Sequence, residues 1–282
     1  MANEDQARQF HEDGFLAIEN FLSDDEINSM KTASKMLVDD MVPDEHKTIF
    51  KAGDKQKSND YFMNSTDKIR FFFEDEAIGP NGELLVEKHN GLNKIGHALH
   101  WLNPAFKNVT FSKKIQEVAK NIGFQRPVVV QSMVILKPPR IGAAVGPHQD
   151  LSFLYTDPPK VVGFWLALDD ATLENSCMWF SPKSHNGGIK LRYRRTPDEN
   201  STTMEFDNPT LRDEDYEWVP VPVKKGTLVL IHGAVAHKSE KNLSNKPRQI
   251  YTFHVAESEN TTWSKLNWLQ PTKELQFPQL FG

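Results

Sequence analysis

Between residues 127 and 258 the chain breaks into short runs rich in β-branched and aromatic residues, each closed by turn formers: PVVVQSMVIL (127–136), VVGFWLAL (161–168), SCMWFSP (176–182), GTLVLIHG (226–233) and RQIYTFHVAES (248–258). This texture predicts an antiparallel sandwich or barrel rather than a parallel sheet with crossover helices. The first third reads differently. Residues 4–12 predict a short helix stopped at Gly14, and FLAIENF (15–21) has strand character. Ser23 followed three residues later by Glu26 is a capping box, after which Ile27, Met30, Ser34, Leu37 and Met41 recur at helical spacing until Pro43. Residues 44–60 are polar and lysine-rich, as in a surface loop, and 112–122 predicts a helix closed by Gly123. The expected fold is therefore mainly β with flanking helices. It forms one domain over 1–282, helical to about 125, β-rich over about 126–258, with a tail at 259–282.

Composition narrows the partners. With 282 residues, 38% hydrophobic and 25% charged, the chain can bury a sizeable core. A net charge of −5 argues against a general nucleic-acid binder. The single cysteine, Cys177, cannot form an internal disulfide, and it lies in an apolar β-rich run that suggests a buried, inert thiol. MANEDQARQF is acidic where a secretory leader is basic, no stretch approaches the ~18 apolar residues of a membrane helix, and QLFG is not the S-K-L address. The expectation is a cytoplasmic monomer acting on a small molecule, with neither nucleic acid nor membrane as partner.

GPHQDLSFLYTDP (146–158) sets His148 and Asp150 on either side of one glutamine. Two positions apart on an extended strand share a face, so both side chains could reach one ion. Histidines 11, 46 and 89 lie in the helical or polar first third, and 97, 100 and 185 have no strand-paired partner, which leaves His232, His237 and His254 in the last β-rich stretch. Two histidines and a carboxylate on one face, with open positions beside them, suit a non-haem Fe(II) oxygenase; taken alone, each histidine reads first as a buried ring satisfied by backbone. Arg248 opens RQIYTFHV after the turn NLSNKP. Its planar guanidinium suits the far carboxylate of 2-oxoglutarate, and the bland alternative is a surface arginine at a turn end.

These residues carry a resemblance. His148-Gln149-Asp150, then LIHGAVAHKSEKNLSNKPRQIYTFH (230–254) with an arginine eleven residues after His237, resembles the phytanoyl-CoA dioxygenase family of Fe(II)- and 2-oxoglutarate-dependent oxygenases. KIRFFFE (68–74), NKIGHALH (93–100), VVVQSM (128–133), DATLEN (170–175) and TTWSKLNWLQPTKELQFPQL (261–280) extend it from about Gly14 to the end, most weakly over 186–217. The resemblance implies a double-stranded β-helix, or jelly roll, with buttressing helices. It implies His148, Asp150 and His237 as iron ligands, Arg248 and Ser239 on the far carboxylate of 2-oxoglutarate, and Lys88, Met133 and Trp165 lining the cosubstrate pocket. His237 is preferred to His232 because the eleven-residue step to Arg248 counts only from it, and because Ser239, two residues on, would share its face. The implied reaction uses O₂ to decarboxylate 2-oxoglutarate to succinate and CO₂ while hydroxylating a substrate, with ascorbate as supporting reductant. Asp150 favours hydroxylation over halogenation, since related halogenases lack that carboxylate. A zinc hydrolase on the same ligands and a non-turnover sensor of iron or 2-oxoglutarate are the alternatives.

Other features have two readings each. Phe71, Phe72 and Phe73 read as core filling or as a pocket wall, and KLRYRR (190–195) as a solvated run or a phosphate contact. The long polar segment 186–217 reads as a binding loop, a lid, or a solvated insertion. Trp263 and Trp268 are expected to anchor the tail.

Overall fold

A computed structural model of the chain describes residues 4–46, 60–195 and 204–282, so most of the 44–60 stretch and part of 186–217 lie outside the described residues. Helix α1 (Glu4–Asp13) stops at Gly14, whose φ of +84° is a left-handed conformation natural to glycine. Helix α2 (Asp24–Asp40) starts with the full capping box: the Ser23 side chain accepts from the Glu26 N–H, and Glu26 Oε2 accepts from the Ser23 N–H at 2.8 Å. The helix Lys113–Asn121 follows Ser112 and is closed by Gly123.

The strands, in chain order, are β1 (Phe15–Ile18), β2 (Ile69–Phe73), β3 (Leu92–His97), β4 (Pro127–Ile135), β5 (Val145–His148), β6 (Thr156–Asp157), β7 (Val161–Ala167), β8 (Met178–Phe180), β9 (Tyr193–Arg195), β10 (Met204–Phe206), β11 (Val219–Val221), β12 (Leu228–His232), β13 (His237–Ser239), β14 (Ile250–Glu257) and β15 (Thr262–Trp263). A larger sheet runs β1-β12-β7-β14-β4-β3-β2, and a smaller one β11-β8-β13-β5. Every pairing within them is antiparallel. This is the double-stranded β-helix.

Period-2 alternation gives the larger sheet two unlike faces. On β14, Tyr251, Phe253 and Val255 join a core with Phe164, Leu166, Leu228 and Leu230, and with Ile27, Met30 and Val38 of α2. The intervening Thr252 and His254 point to the other face, opposite Trp165 and Gly163 of β7 and opposite Met133 and Gln131 of β4. Of the three phenylalanines, Phe71 and Phe73 join the helix-covered core and Phe72 the inner cluster.

One local expectation is corrected. His148 closes β5, and Asp150 opens a 3₁₀ turn, Asp150–Ser152, so the two do not sit within one strand; extended Gln149 still carries them to the same side. The Gln149 side chain explains the bend: its amide donates to Gly188 O and Ala234 O, and its Oε1 accepts from the Lys190 N–H. Arg248 precedes β14, which starts at Ile250 in the larger sheet, whereas His237 lies in the smaller. The arginine therefore leads into one sheet while the distal histidine lies in the other.

Candidate metal and cosubstrate site

In the smaller sheet the register sets His237 opposite His148, and the two imidazole centroids stand 4.1 Å apart. Each ring is oriented by its own backbone. His148 Nδ1 lies 2.9 Å from Gly146 O and His237 Nδ1 3.0 Å from Val235 O, so Nδ1 carries the proton and donates, leaving the Nε2 lone pairs free. Asp150 Oδ1 lies 3.6 Å from His237 Nε2 and 3.9 Å from His148 Nε2, too far for hydrogen bonds. One ligand atom from each of the three residues falls within 4.8 Å of the others. Unprotonated nitrogens and one carboxylate gathered without hydrogen bonds among themselves fit a divalent transition metal with protein ligands on one side.

Electrostatics supports the same assignment. Burial, and next the neighbouring His237, push His148 down to about 4, which keeps its lone pair free at neutral pH. Burial alone would raise Asp150, but His254, His237 and His148 outweigh it and hold the carboxyl well below the usual range.

Arg248 lies almost wholly out of water at 1% exposure. Its guanidinium carbon stands 5.6 Å from the Trp165 ring centroid. Its Nε and Nη1 have no hydrogen-bond partner among the described residues. Burial lowers its pKa to about 10, so the group stays cationic at neutral pH. A buried cation with unused, forked donors is a ready anion site. Ser239 is buried on β13 two residues from His237, and Met133 and Trp165 share the inner face of the larger sheet through Thr252.

Lys88 is not brought to this volume. Its Nζ donates to Asp39 O and Met41 O, at 2.7 and 3.1 Å, where it satisfies carbonyls at the end of α2. Lys94 is a buried lysine on the inner face that the sequence reading did not single out. It stands on β3 opposite Ile135, on the face shared with Met133, and its ammonium lies 5.3 Å from the Phe72 ring centroid and 5.8 Å from that of Phe62. Burial pushes it down to about 7. The signal available was strand parity: in NKIGH, Lys94 alternates with Ile95, a core residue.

His232 serves packing. It closes β12, its Nδ1 accepts from the Ala234 N–H at 3.1 Å, and its ring lies 4.8 Å from His185. His254 instead faces the site, with Nε2 3.1 Å from Asp150 Oδ2.

The segment 186–217 folds in part into a ribbon of β9 and β10. Tyr193 and Phe206 pack on Phe153, whose ring lies 6.2 Å from His148. The basic run is neither free nor solvated throughout. Arg192 stacks 3.9 Å over Tyr155, and Arg195 donates to Asn267 O and Trp268 O. Trp268 in turn stacks on Phe62 at 4.3 Å, and Trp263 Nε1 donates to Leu269 O, so both tryptophans tie down the tail. Cys177 is fully buried beside Trp165 and Ile250, and burial raises its thiol. No described helix is long and apolar enough to cross a membrane.

Comparison with known proteins agrees with this geometry. The family model described as phytanoyl-CoA dioxygenase (PhyH) matches residues 10–250. Phytanoyl-CoA dioxygenase domain-containing protein 1 of Bos taurus is 50% identical over 284 residues, covering 98% of this chain and 97% of the relative. Among solved structures, the epimerase SnoN in complex with Fe3+, alpha ketoglutarate and nogalamycin RO superposes with a TM-score of 0.64 at 14% identity, covering 98% of each chain. EctD from S. alaskensis with 2-oxoglutarate and 5-hydroxyectoine gives 0.63 at 17%, covering 92% of this chain and 77% of that one. At such identities the structural likeness speaks for the fold.

Proposed function

Since this chain belongs to the phytanoyl-CoA dioxygenase family and is a dioxygenase of the iron and 2-oxoglutarate type, we propose that it couples decarboxylation of 2-oxoglutarate to hydroxylation of a small molecule at the site of His148, Asp150 and His237. The observation that carries the reading is Arg248: a buried guanidinium just ahead of β14, over the inner-face ring of Trp165, whose Nε and Nη1 have no hydrogen-bond partner among the described residues of a chain that also gathers the His148, Asp150 and His237 cluster. A zinc hydrolase has no use for that cation.

Iron(II), with 2-oxoglutarate and O₂, supplies the oxidising chemistry when bound, and ascorbate supports it by keeping the metal reduced. The chain's own contributions are separable. His148, Asp150 and His237 would hold the metal on one side, with Nδ1–H bonds to Gly146 O and Val235 O keeping both rings aimed. Arg248 and Ser239 would take the far carboxylate of the cosubstrate, and Met133 and Trp165 would wall it from water. Lys94, rather than Lys88, would line the cosubstrate volume, because a buried ammonium lowered to about 7 regains charge beside an anion. The wall of Phe153, Tyr193 and Phe206 next to His148 is where the substrate would be recognised.

The test is an assay of succinate formed from 2-oxoglutarate by purified protein with Fe(II) and ascorbate. Slow succinate release without added substrate is expected. Binding of both metal and 2-oxoglutarate with no succinate above a no-enzyme control, with and without candidate substrates, would replace the enzyme by a sensor.

A further inference from the structure

Asp150 has two carboxylate oxygens, and the two histidines of the metal cluster approach only one of them, Oδ1. Oδ2 is turned away and buried, with no well-aligned hydrogen bond. The polar atom beside it is His254 Nε2, at 3.1 Å and off the ideal axis. His254 is itself buried and fixed from behind, since the register of β14 on β4 sets it opposite Gln131, whose Nε2 lies 3.2 Å from His254 Nδ1. With the amide donating to Nδ1, the ring proton sits on Nε2, the atom next to Oδ2, and a small turn of the carboxylate or the ring would align the two.

The third wall of this space is a missing side chain. Gly163 stands opposite His254 on β7, in VVGFWLA, where the remaining residues all carry side chains. A Cβ there would come within 3.1 Å of Asp150 Oδ2, 3.4 Å of Ile231 Cβ and 3.5 Å of His254 Nε2. Glycine inside a strand commonly marks such a close approach. None of Gln131, His254 and Gly163 has a part in the function argued above.

We propose that these three residues form a seat for the outer oxygen of Asp150, in which His254 is a positioning residue that keeps the carboxylate directed at the metal through Oδ1 alone. The inference rests on reading His148, Asp150 and His237 as the metal site. Its physical basis is that a buried carboxylate oxygen without a donor is costly, and a carboxylate freed from its donor can turn both oxygens to the same side. That turn would consume a position that the cosubstrate and O₂ need.

The test titrates metal-free protein with Mn(II) alone, and records melting curves, for the wild type and for His254→Leu, His254→Gln and Gly163→Ala. Partners of metal-ligating groups typically change affinity by about 10- to 100-fold, and a loss of that size is expected in His254→Leu without a lowered melting temperature. His254→Gln, which can still present an N–H, recovers part of the affinity, and Gly163→Ala loses it from the opposite wall. Mn(II) binding in His254→Leu within threefold of the wild type overturns the seat, as does an equal loss in His254→Gln accompanied by a lowered melting temperature. A wild type that binds no Mn(II) overturns the metal site itself, and the seat with it.

Discussion

The two faces of the larger sheet are built from the same strands and do opposite work. Along β14, Tyr251, Phe253 and Val255 go to the helix-covered side and are wholly buried in an apolar core, with Phe253 stacked on Phe164 at 5.0 Å. Thr252 and His254, and Arg248 ahead of the strand, go to the side facing the smaller sheet, and are nearly as buried among groups that water would solvate better. Equal burial therefore has two meanings. On the outer face it stabilises the fold; on the inner face it stores polar and charged groups at a cost, offset only when a metal or an anion meets them.

Breaking the inner face, or the ligands that the smaller sheet presents opposite it, should change function far more than folding. The largest effect is expected for His237→Ala, which should reduce 2-oxoglutarate turnover to the no-enzyme level and sharply weaken metal binding with the melting transition retained. His232→Ala, at the end of β12 beside His185, should keep bound iron and measurable activity. If the two variants exchanged these phenotypes, the distal ligand would have to be reassigned, and Ser239 and Arg248 with it.

Arg248→Ala comes next. Removing one partner of a buried charge pair costs on the order of 3–5 kcal/mol, so the 2-oxoglutarate concentration for half-maximal turnover should rise roughly 100- to 4,000-fold while Mn(II) affinity stays near wild type. Unchanged dependence on 2-oxoglutarate would take Arg248 out of the site.

The outer face should answer in the opposite way. Phe253→Ala removes a fully buried ring and is expected to cost about 3–5 kcal/mol in urea unfolding, with metal affinity of the folded fraction preserved. A large loss of metal affinity from this variant would show that the faces are not independent.

The smallest effect is a matter of pH. Burial holds Lys94 at about 7 in the folded chain, below its ordinary 10.5, so between those values the unfolded chain binds the extra proton and stability rises with pH. His100, behind the sheet and bonded to Ser132, is lowered by burial to about 3, so its contribution is present above its ordinary 6.5 and is lost as pH falls toward 3. Melting temperature followed against pH should therefore fall on acidification. Lys94→Met should flatten the rise between 7 and 10.5 while leaving the acid limb in place; a curve identical to wild type above pH 7 would mean that Lys94 is charged in the folded protein.

Much of this molecule was legible in local pattern. The capping box of α2, the stops at Gly14 and Gly123, and the β-rich runs report propensities and hydrogen bonds that close within a few residues. Ligand chemistry restricted the candidates to His148, Asp150 and one of three later histidines, and the family resemblance implied that the third ligand is His237. Lys88 and Lys94 could not be told apart that way. Both lie in the same polar-to-apolar transition, and the difference is that one caps the end of α2 while the other shares a register with Ile135.

By itself, then, the sequence determined which segments extend, where the helices begin and end, and which side chains alternate along each strand, because the pleat and the helical turn are set by neighbouring residues. Only the tertiary structure decided which of the two alternating faces looks inward, that His237 pairs with His148 across β13 and β5, that Arg248 is buried over Trp165 ahead of β14 of the other sheet, and that Gly163 leaves room beside the second oxygen of Asp150. Those outcomes depend on the register and stacking of strands far apart in the chain, and a shift of one residue would turn every one of these groups to the other face.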